Sequence, residues 1–340
     1  MRKARSSLNF DPAAPMIRCH CHSAFNGPWQ AFTEAEREQF LESVFTCAAF
    51  SGIEIVAFSI RPASFDLLVD SPRTLDLTRK EMLARLKQIT EPAHFETLSE
   101  PLKAQDETAW LRLAARFGDV STFIKQLKQL TTTRYHREHA TRGALWTGRY
   151  NSAYVQTGHA SRILSAWFDH AAVRSGEAAT VDKDRFSTFG RAVAGDKRAR
   201  AMISALYGSD ACHSWREVAR AYRDFIGDDT SPPNARRTYS AIPLLTRPQL
   251  FLTEVPQFRG AVAMGDEAFT EAFFQLNRHE FGPNRKRGGH PVSGQLDPNL
   301  WTIRQKTDLR KLRETLPRLL KFTLQSESDF PDASCHRVSR

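Results

Sequence analysis

Four consecutive residues of metal-ligating type, Cys19-His20-Cys21-His22, are the first feature with chemical potential. Apolar and polar side chains alternate from residue 16 to residue 23, which is the period of a half-buried strand. The thiols and the imidazoles are therefore predicted on opposite faces, whereas structural zinc sites separate their ligand pairs by two to four residues. The pattern favours two small buried thiols, with the two imidazoles on the other face of the strand. His20 and His22 stay weak candidate metal ligands, together with Asp66.

Cationic and aromatic side chains are interleaved between residues 121 and 150. Six lysines and arginines accompany one acid, Glu138, and they are interleaved with Tyr135, Trp146 and Tyr150. Guanidinium groups that pair with phosphates, beside rings that stack on bases, are typical of proteins that bind single-stranded nucleic acid. The alternative interpretation makes Trp146 and Tyr150 core residues beneath a loop. Candidate DNA-binding residues in this segment are Arg134, Arg142, Trp146, Arg149 and Tyr150.

A second basic cluster, Arg285, Lys286 and Arg287, follows Phe281-Gly-Pro283 and is predicted on a loop. These three residues are further candidates for DNA binding, although an isolated charge run is commonly only a solvated surface. The whole chain of 340 residues has a formal net charge of +10. That balance suggests a polyanionic partner.

The helices and strands that must position these residues are predicted from hydrophobic periodicity and from helix-capping residues. Strands are predicted over 16–23, 53–60 and 65–69, and Thr33 with Glu36 forms a capping box before a helix that ends near Phe50. Further helices are predicted over 74–88, 121–140 and 161–172, with a polar stretch between Pro92 and Pro101. We predict an α+β class with a ferredoxin-like antiparallel sheet and packed helices.

Composition shifts divide the chain into five predicted segments. They are a flexible arm (1–15), an α+β domain (16–176), a linker (177–200), a mainly helical C-terminal region (201–325) and a tail (326–340). No apolar run reaches 18 residues, so we expect no membrane span, and no apolar region follows the basic N-terminus as in a secretory signal. Five cysteines, Cys19, Cys21, Cys47, Cys212 and Cys335, predict free thiols in a reducing compartment.

Two segments resemble a known family. The runs Arg142-Gly-Ala-Leu-Trp-Thr-Gly-Arg-Tyr150 and Ala171-Ala-Val-Arg-Ser-Gly176 resemble the signatures R-x-G-x-L-W-x-G-R-Y and N-P-V-R-A-G of REP-associated tyrosine transposases. Residues 258–269 and 281–287 are similar to C-terminal segments of one branch of that family. The resemblance implies the fold of HUH endonucleases, single-stranded or hairpin DNA as the partner, and a cytoplasmic, nucleoid-associated protein. Oligomeric state is left open.

The catalytic positions depart from the family's pattern. The family's strand reads Met-Pro-Asn-His-hydrophobic-His-Leu-Leu-Val, and here Ser64 and Asp66 stand where its two histidines stand. Thr131 stands at the position of the nucleophilic tyrosine, and a threonine alcohol is far less acidic than a phenol. Tyr135, one helical turn further on, is the fallback nucleophile. Mg²⁺ or Mn²⁺ is implied only if activity is retained, and otherwise no cofactor is expected.

Three functions remain open. The first is a DNA-binding protein of the REP-associated tyrosine transposase type that recognises structured single-stranded DNA and has lost nicking chemistry. The second is an active single-strand transposase or nickase that uses Asp66 with His20 and His22 as surrogate metal ligands and Tyr135 as nucleophile. The third is a basic interaction protein that retains only the fold.

Overall fold

A seven-stranded sheet organises the part of the chain that the structure, a computed structural model, describes: residues 8–11, 13–26, 31–209, 212–227, 251–252, 255–281, 283–292 and 299–304. Its strand order is β2-β3-β1-β4-β5-β7-β6. The strands are β1 (Met16–Ala24), β2 (Glu54–Arg61), β3 (Ser64–Pro72), β4 (Asn151–Val155), β5 (Ala261–Gly265), β6 (His290–Pro291) and β7 (Trp301–Arg304). With the helices around it, the sheet makes an α+β structure.

Helices cover both faces of this sheet. They are α1 (Glu34–Ser51), α2 (Arg79–Ile89), α3 (Pro92–Lys103), α4 (Glu107–Ala114), α5 (Val120–Glu138), α6 (His159–Asp169), α7 (Ala171–Arg174), α8 (Thr188–Val193), α9 (Lys197–Tyr207), α10 (Trp215–Ile226), α11 (Pro256–Gly260) and α12 (Glu267–Leu276). Short 3₁₀ helices lie at Val181–Lys183 and Arg278–Glu280. The stretch between Pro92 and Pro101 that looks irregular in sequence is helical, since Pro92 occupies the first turn of α3, where no N–H is needed.

The first four strands are antiparallel. β3 pairs with β2 on one side and with β1 on the other, and β1 pairs with β4. The prediction that the strands near residues 16–23, 53–60 and 65–69 share one antiparallel sheet is confirmed. Their register places His22 opposite Asp66 on β3 and opposite Asn151 on β4. Opposed residues share a face of the sheet, so His22, Asp66 and Asn151 lie on the same face.

One face of the sheet is covered by α1 and α5. The capping box of Thr33 and Glu36 begins α1 as predicted, and Gly52 ends it in the left-handed conformation with φ of 69°. In α5 the buried residues Phe123 and Leu127 pack with Cys21 of β1 and Phe65 of β3. The apolar stripe predicted for residues 121–140 is therefore the core face of a helix.

The opposite face is covered by α6, α8, α9 and α10. Trp167, Phe189 and Tyr222 are fully buried in this second core. Asp169 is buried among them, where it accepts hydrogen bonds from the Phe189 N–H (2.9 Å) and the Tyr222 hydroxyl (3.0 Å). Burial raises the pKa of Asp169 to about 7, although these hydrogen bonds act in the opposite direction.

The predicted linker over 177–200 is part of the fold. Phe186 and Phe189 are buried, and the backbone around Ser187 bridges to Ser59 at the outer edge of β2. The side chain of Thr188 completes this contact, because it accepts from the Phe58 N–H (2.7 Å) and donates to the Phe58 carbonyl (3.1 Å). The weak hydrophobic periodicity predicted a linker here because the helices of this segment, Val181–Lys183 and α8, are too short to give a long apolar stripe.

Two other segment predictions also differ from the structure. The described part of the region 201–325 contains more helix than strand, but it also contributes β5, β6 and β7 to the same sheet, with β5 parallel to β4, so it is not a separate appendage. In the predicted flexible arm, the backbone N–H of Asn9 donates to Asn277 (2.6 Å) and Phe10 packs edge-on against Tyr154, with 4.4 Å between ring centroids. The predicted tail, 326–340, and Cys335 lie outside the described residues.

The remaining four cysteines are free thiols, and Cys19, Cys21 and Cys47 are buried. Over the described ranges, no helix is both long enough and apolar enough to span a bilayer.

Candidate functional site

Two neighbouring strands bring His20, His22 and Asp66 together. Alternation along β1 directs both imidazoles to the face opposite Cys19 and Cys21, and the pairing of β1 with β3 puts Asp66 beside them. His20 Nε2 lies 2.8 Å and His22 Nδ1 lies 3.0 Å from the same carboxylate oxygen, Asp66 Oδ1. We call these three residues the His–Asp cluster.

Helix α11 closes the His–Asp cluster from the far end of the sequence. The second carboxylate oxygen, Asp66 Oδ2, lies 3.4 Å from Arg259 Nη2, and the Phe258 carbonyl lies 3.1 Å from His20 Nδ1. His20 is 2% and Asp66 is 1% exposed. No local signal in the sequence indicates these two contacts, because the residues are far apart along the chain.

The electrostatics of the His–Asp cluster favour an ionised Asp66. Burial by itself disfavours the charge, but the positive potential and hydrogen bonds of His22 and His20 outweigh it, so the pKa of Asp66 lies well below its ordinary value. The Asp66 carboxylate is therefore a stable buried anion. Its second oxygen faces the guanidinium of Arg259.

The His–Asp cluster does not fit a divalent metal ion. One Asp66 oxygen already contacts both imidazoles, the other faces a guanidinium, and the carboxylate has no room for the several waters that Mg²⁺ usually keeps. Within the parts of the chain that can be described, no three His, Cys, Asp or Glu side chains are arranged to hold a metal. The other residue at a family histidine position, Ser64, is the first residue of β3. It lies opposite Ala24 and is half-buried.

The fallback nucleophile lies on the other side of the sheet. Tyr135 is 3% exposed and packs in the core that contains Cys21 and Phe65, and its ring stacks on His139 with 4.2 Å between centroids. Thr131 is also buried there and donates to the Leu127 carbonyl within α5 (2.8 Å). Neither side chain can reach the His–Asp cluster, so the arrangement predicted for a surrogate active site is not present in the structure.

A cationic groove lies along α5 beside the loop that precedes β4. Its volume is about 720 Å³, and its lining includes Lys125, Lys128, Arg149 and Tyr150. Lys125 and Arg149 are exposed, and among the described residues that line the groove none is acidic. Lys125 and Lys128 are on the helix that the sequence already marks as cationic, and Arg149 and Tyr150 are among the predicted DNA-binding residues.

Lys128 forms the floor of this cationic groove. Its amine donates to the Gly148 carbonyl (2.7 Å) and to Ser23 Oγ (2.9 Å), which ties the loop to α5 and β1. Partial burial lowers the pKa of Lys128 to about 8. At neutral pH the Lys128 amine is therefore mostly protonated. The groove then carries three cationic side chains, Lys125, Lys128 and Arg149.

Trp146 is a core residue. It is 8% exposed, and its ring lies 5.1 Å from Phe25 and 5.5 Å from Phe65 between centroids. The indole N–H donates to Thr132 Oγ1 (3.1 Å). Packing and the hydrogen bond place this ring under the loop at the wall of the groove, which favours the alternative interpretation of the sequence over base stacking.

The other predicted DNA-binding residues divide by their contacts. Arg285 binds the backbone carbonyls of Arg287 (3.0 Å), Arg304 (2.8 Å) and Gly288, so this guanidinium holds its own loop together. Arg134 is half-buried and donates to Ser43 Oγ (3.3 Å). The last three of the predicted residues, Arg142, Lys286 and Arg287, are exposed. None of them lines the cationic groove.

Comparisons with known proteins add one finding. No family model and no curated protein matches the chain. Among solved structures, the chain is similar to a REP-associated tyrosine transposase bound to a REP hairpin, with 12% identity, 71% of this chain and 100% of that chain covered, and a TM-score of 0.38. An identity and a superposition this low do not establish a shared family.

Proposed function

We propose that this protein binds structured single-stranded DNA and is of the REP-associated tyrosine transposase type, with nicking chemistry lost. The observation that carries the proposal is the cationic groove, which combines Lys125, Lys128 and Arg149 with the tyrosine of the Gly-Arg-Tyr motif. Phosphates need such cations, and a tyrosine ring offers a stacking surface that tolerates any base.

The fold proposed with this function is the ferredoxin-like core of HUH endonucleases. Support comes from the connectivity β1-α1-β2-β3-α5-β4, in which α2, α3 and α4 are inserted between β3 and α5, and from the strand order β2-β3-β1-β4. The loss of chemistry is proposed because Ser64 and Asp66 replace the family's histidines, and because Tyr135 and the His–Asp cluster lie on opposite faces of the sheet.

Salt dependence of binding tests the groove. We expect Lys125→Gln and Arg149→Gln each to lower the slope of log K against log salt by about 0.7, since each cation that contacts a single-strand phosphate releases one counterion. The measurement is a fluorescence-anisotropy titration of a hairpin with an unpaired 5′ extension, at several salt concentrations. A slope that stays at the wild-type value in the double variant would reject the groove as the binding surface.

The matched control is Arg112→Gln. Arg112 is exposed on α4 and does not line the groove, so this variant removes the same charge elsewhere and is expected to keep the wild-type slope. Equal losses in all three variants would indicate only a net-charge effect and favour the interaction-protein interpretation. Fully paired duplex of the same length is expected to bind more weakly than the hairpin.

An active nickase is the second candidate, and the convergence of His20, His22 and Asp66 is the observation that favours it. We nevertheless expect no covalent adduct when the protein is incubated with labelled hairpin DNA and Mg²⁺ or Mn²⁺. Denaturing gels detect the adduct, and anisotropy on the same sample shows that DNA is bound. An adduct that disappears in Tyr135→Phe would reverse the choice between the two functions.

A further inference from the structure

A second cavity shares lining residues with the cationic groove. Its volume is about 470 Å³, and Ser121 and Tyr150 line both spaces. Asn151 and Ser152 of β4 form part of its wall, and Arg259 of α11 also lines it. Tyr150 therefore lies between the cationic groove and a cavity whose lining includes Arg259.

Arg259 is held at this position by a buried anion. Its Nη2 lies 3.4 Å from Asp66 Oδ2, and its guanidinium carbon lies 5.0 Å from the centre of the Trp167 ring. Asp66 is 1% exposed, whereas the Arg259 side chain is 31% exposed. The anion is thus out of reach of solvent, while the cation that it holds is partly exposed.

The orientation of Asp66 is itself determined by the two imidazoles. Both contact Oδ1, so Oδ2 is the oxygen that faces α11. His20 also contacts the carbonyl of Phe258, the residue next to Arg259 in sequence. The cluster therefore fixes both the backbone and the side chain of the segment that carries the guanidinium.

We propose that Arg259 is a further nucleic-acid-binding residue, which binds a backbone phosphate of a strand that also contacts the cationic groove, and that Asp66 with His20 and His22 is its positioning cluster. This inference rests on the proposed function. A guanidinium suits the role because its fork of N–H donors pairs with phosphate oxygens in a fixed geometry. The residue at the family's metal-binding position then orients an arginine.

Neutralising phosphates one at a time tests Arg259. Hairpin oligonucleotides that carry a single uncharged methylphosphonate at successive positions are titrated against wild type, Arg259→Gln and Arg259→Lys. We expect one position at which methylphosphonate weakens wild-type binding about tenfold and leaves Arg259→Gln unaffected, as one lost phosphate contact requires. Arg259→Lys is expected to keep the salt slope and lose part of the affinity, because it keeps the charge without the fork.

A double-variant cycle tests the positioning cluster. Asp66→Asn is expected to weaken binding three- to tenfold in the wild-type background, with an unchanged salt slope, and to have no further effect in Arg259→Gln. Thermal unfolding of each variant shows whether it is folded at the titration temperature. If Asp66→Asn weakens binding equally in the wild-type and Arg259→Gln proteins, Asp66 has a purely structural role.

The outcomes separate this inference from the proposed function. If the Lys125 and Arg149 variants change the salt slope but no methylphosphonate position depends on Arg259, the groove binds DNA and the inference about Arg259 is wrong. If the wild-type protein shows no salt-dependent binding of single strands, both proposals fail.

Discussion

Trp146→Ala is expected to lower the free energy of unfolding by about 3–5 kcal/mol, which is the usual cost of truncating a buried aromatic residue. The side chain is 8% exposed and contacts a group of rings that includes Phe25, Phe40 and Phe65. Truncation removes these contacts and leaves the Thr132 hydroxyl without the indole N–H that it accepts. Urea titration followed by circular dichroism measures the loss.

Two companion variants make this result specific. Trp146→Phe keeps an aromatic ring and loses only the indole N–H and some volume, so we expect a smaller loss of stability. Arg142→Ala changes an exposed residue of the same segment and is expected to leave the unfolding free energy within about 0.5 kcal/mol of wild type. A Trp146→Ala protein with wild-type stability and weakened DNA binding would instead favour the role of a base-stacking ring.

The second large effect concerns pH and Asp169. Its pKa is raised from 3.8 to about 7 because the carboxyl is buried, so the fold prefers the neutral form. The stabilising contribution is therefore complete below the unfolded-state pKa and is lost as pH rises through the folded-state pKa. Between about pH 5 and about pH 8 we expect this group to reduce the unfolding free energy by about 3 kcal/mol.

Asp169→Asn isolates this contribution. The amide is neutral at every pH, and the Tyr222 hydroxyl can accept a hydrogen bond as well as donate one, so the site stays satisfied. We expect the variant to gain stability relative to wild type as pH rises, as measured by urea midpoints across the range. Asp66 does not interfere, because its pKa is lowered and its contribution is lost only under more acidic conditions. A constant difference between variant and wild type at all pH values would refute the assignment.

Local pattern predicted the elements whose contacts are local in sequence. The alternation of β1, the capping box of α1, the β2–β3 hairpin and the apolar stripe of α5 each follow from residues within a few turns of one another. Strand alternation also placed the imidazoles and thiols on opposite faces. Where hydrophobic periodicity and helix-capping signals are strong, the type of each element and its buried face can both be predicted.

Local patterns do not predict the pairing of strands that are far apart in the sequence. β5 and β7 are short strands inside the sheet and carry little alternation. The segment 177–200 contains only short helical pieces, and its backbone contacts the edge of β2. Within the site, the convergence of His20 with Asp66 depends on register, and the closure by Phe258 and Arg259 depends on tertiary structure. The types of side chain in the groove are predictable from the sequence, but the sequence does not determine whether Trp146 is buried.

The parallel pairing of β4 with β5 has a consequence for synthesis on the ribosome. The first four strands, α1 and α5 emerge early, but β5 follows α11 near the end of the described chain. Until then, β4 is an unprotected sheet edge, a surface that other nascent chains can extend by strand addition. The same late segment supplies Phe258 and Arg259, so an incompletely translated chain exposes His20 and Asp66 together with that edge. Completion of the sheet and closure of the His–Asp cluster are therefore one folding event.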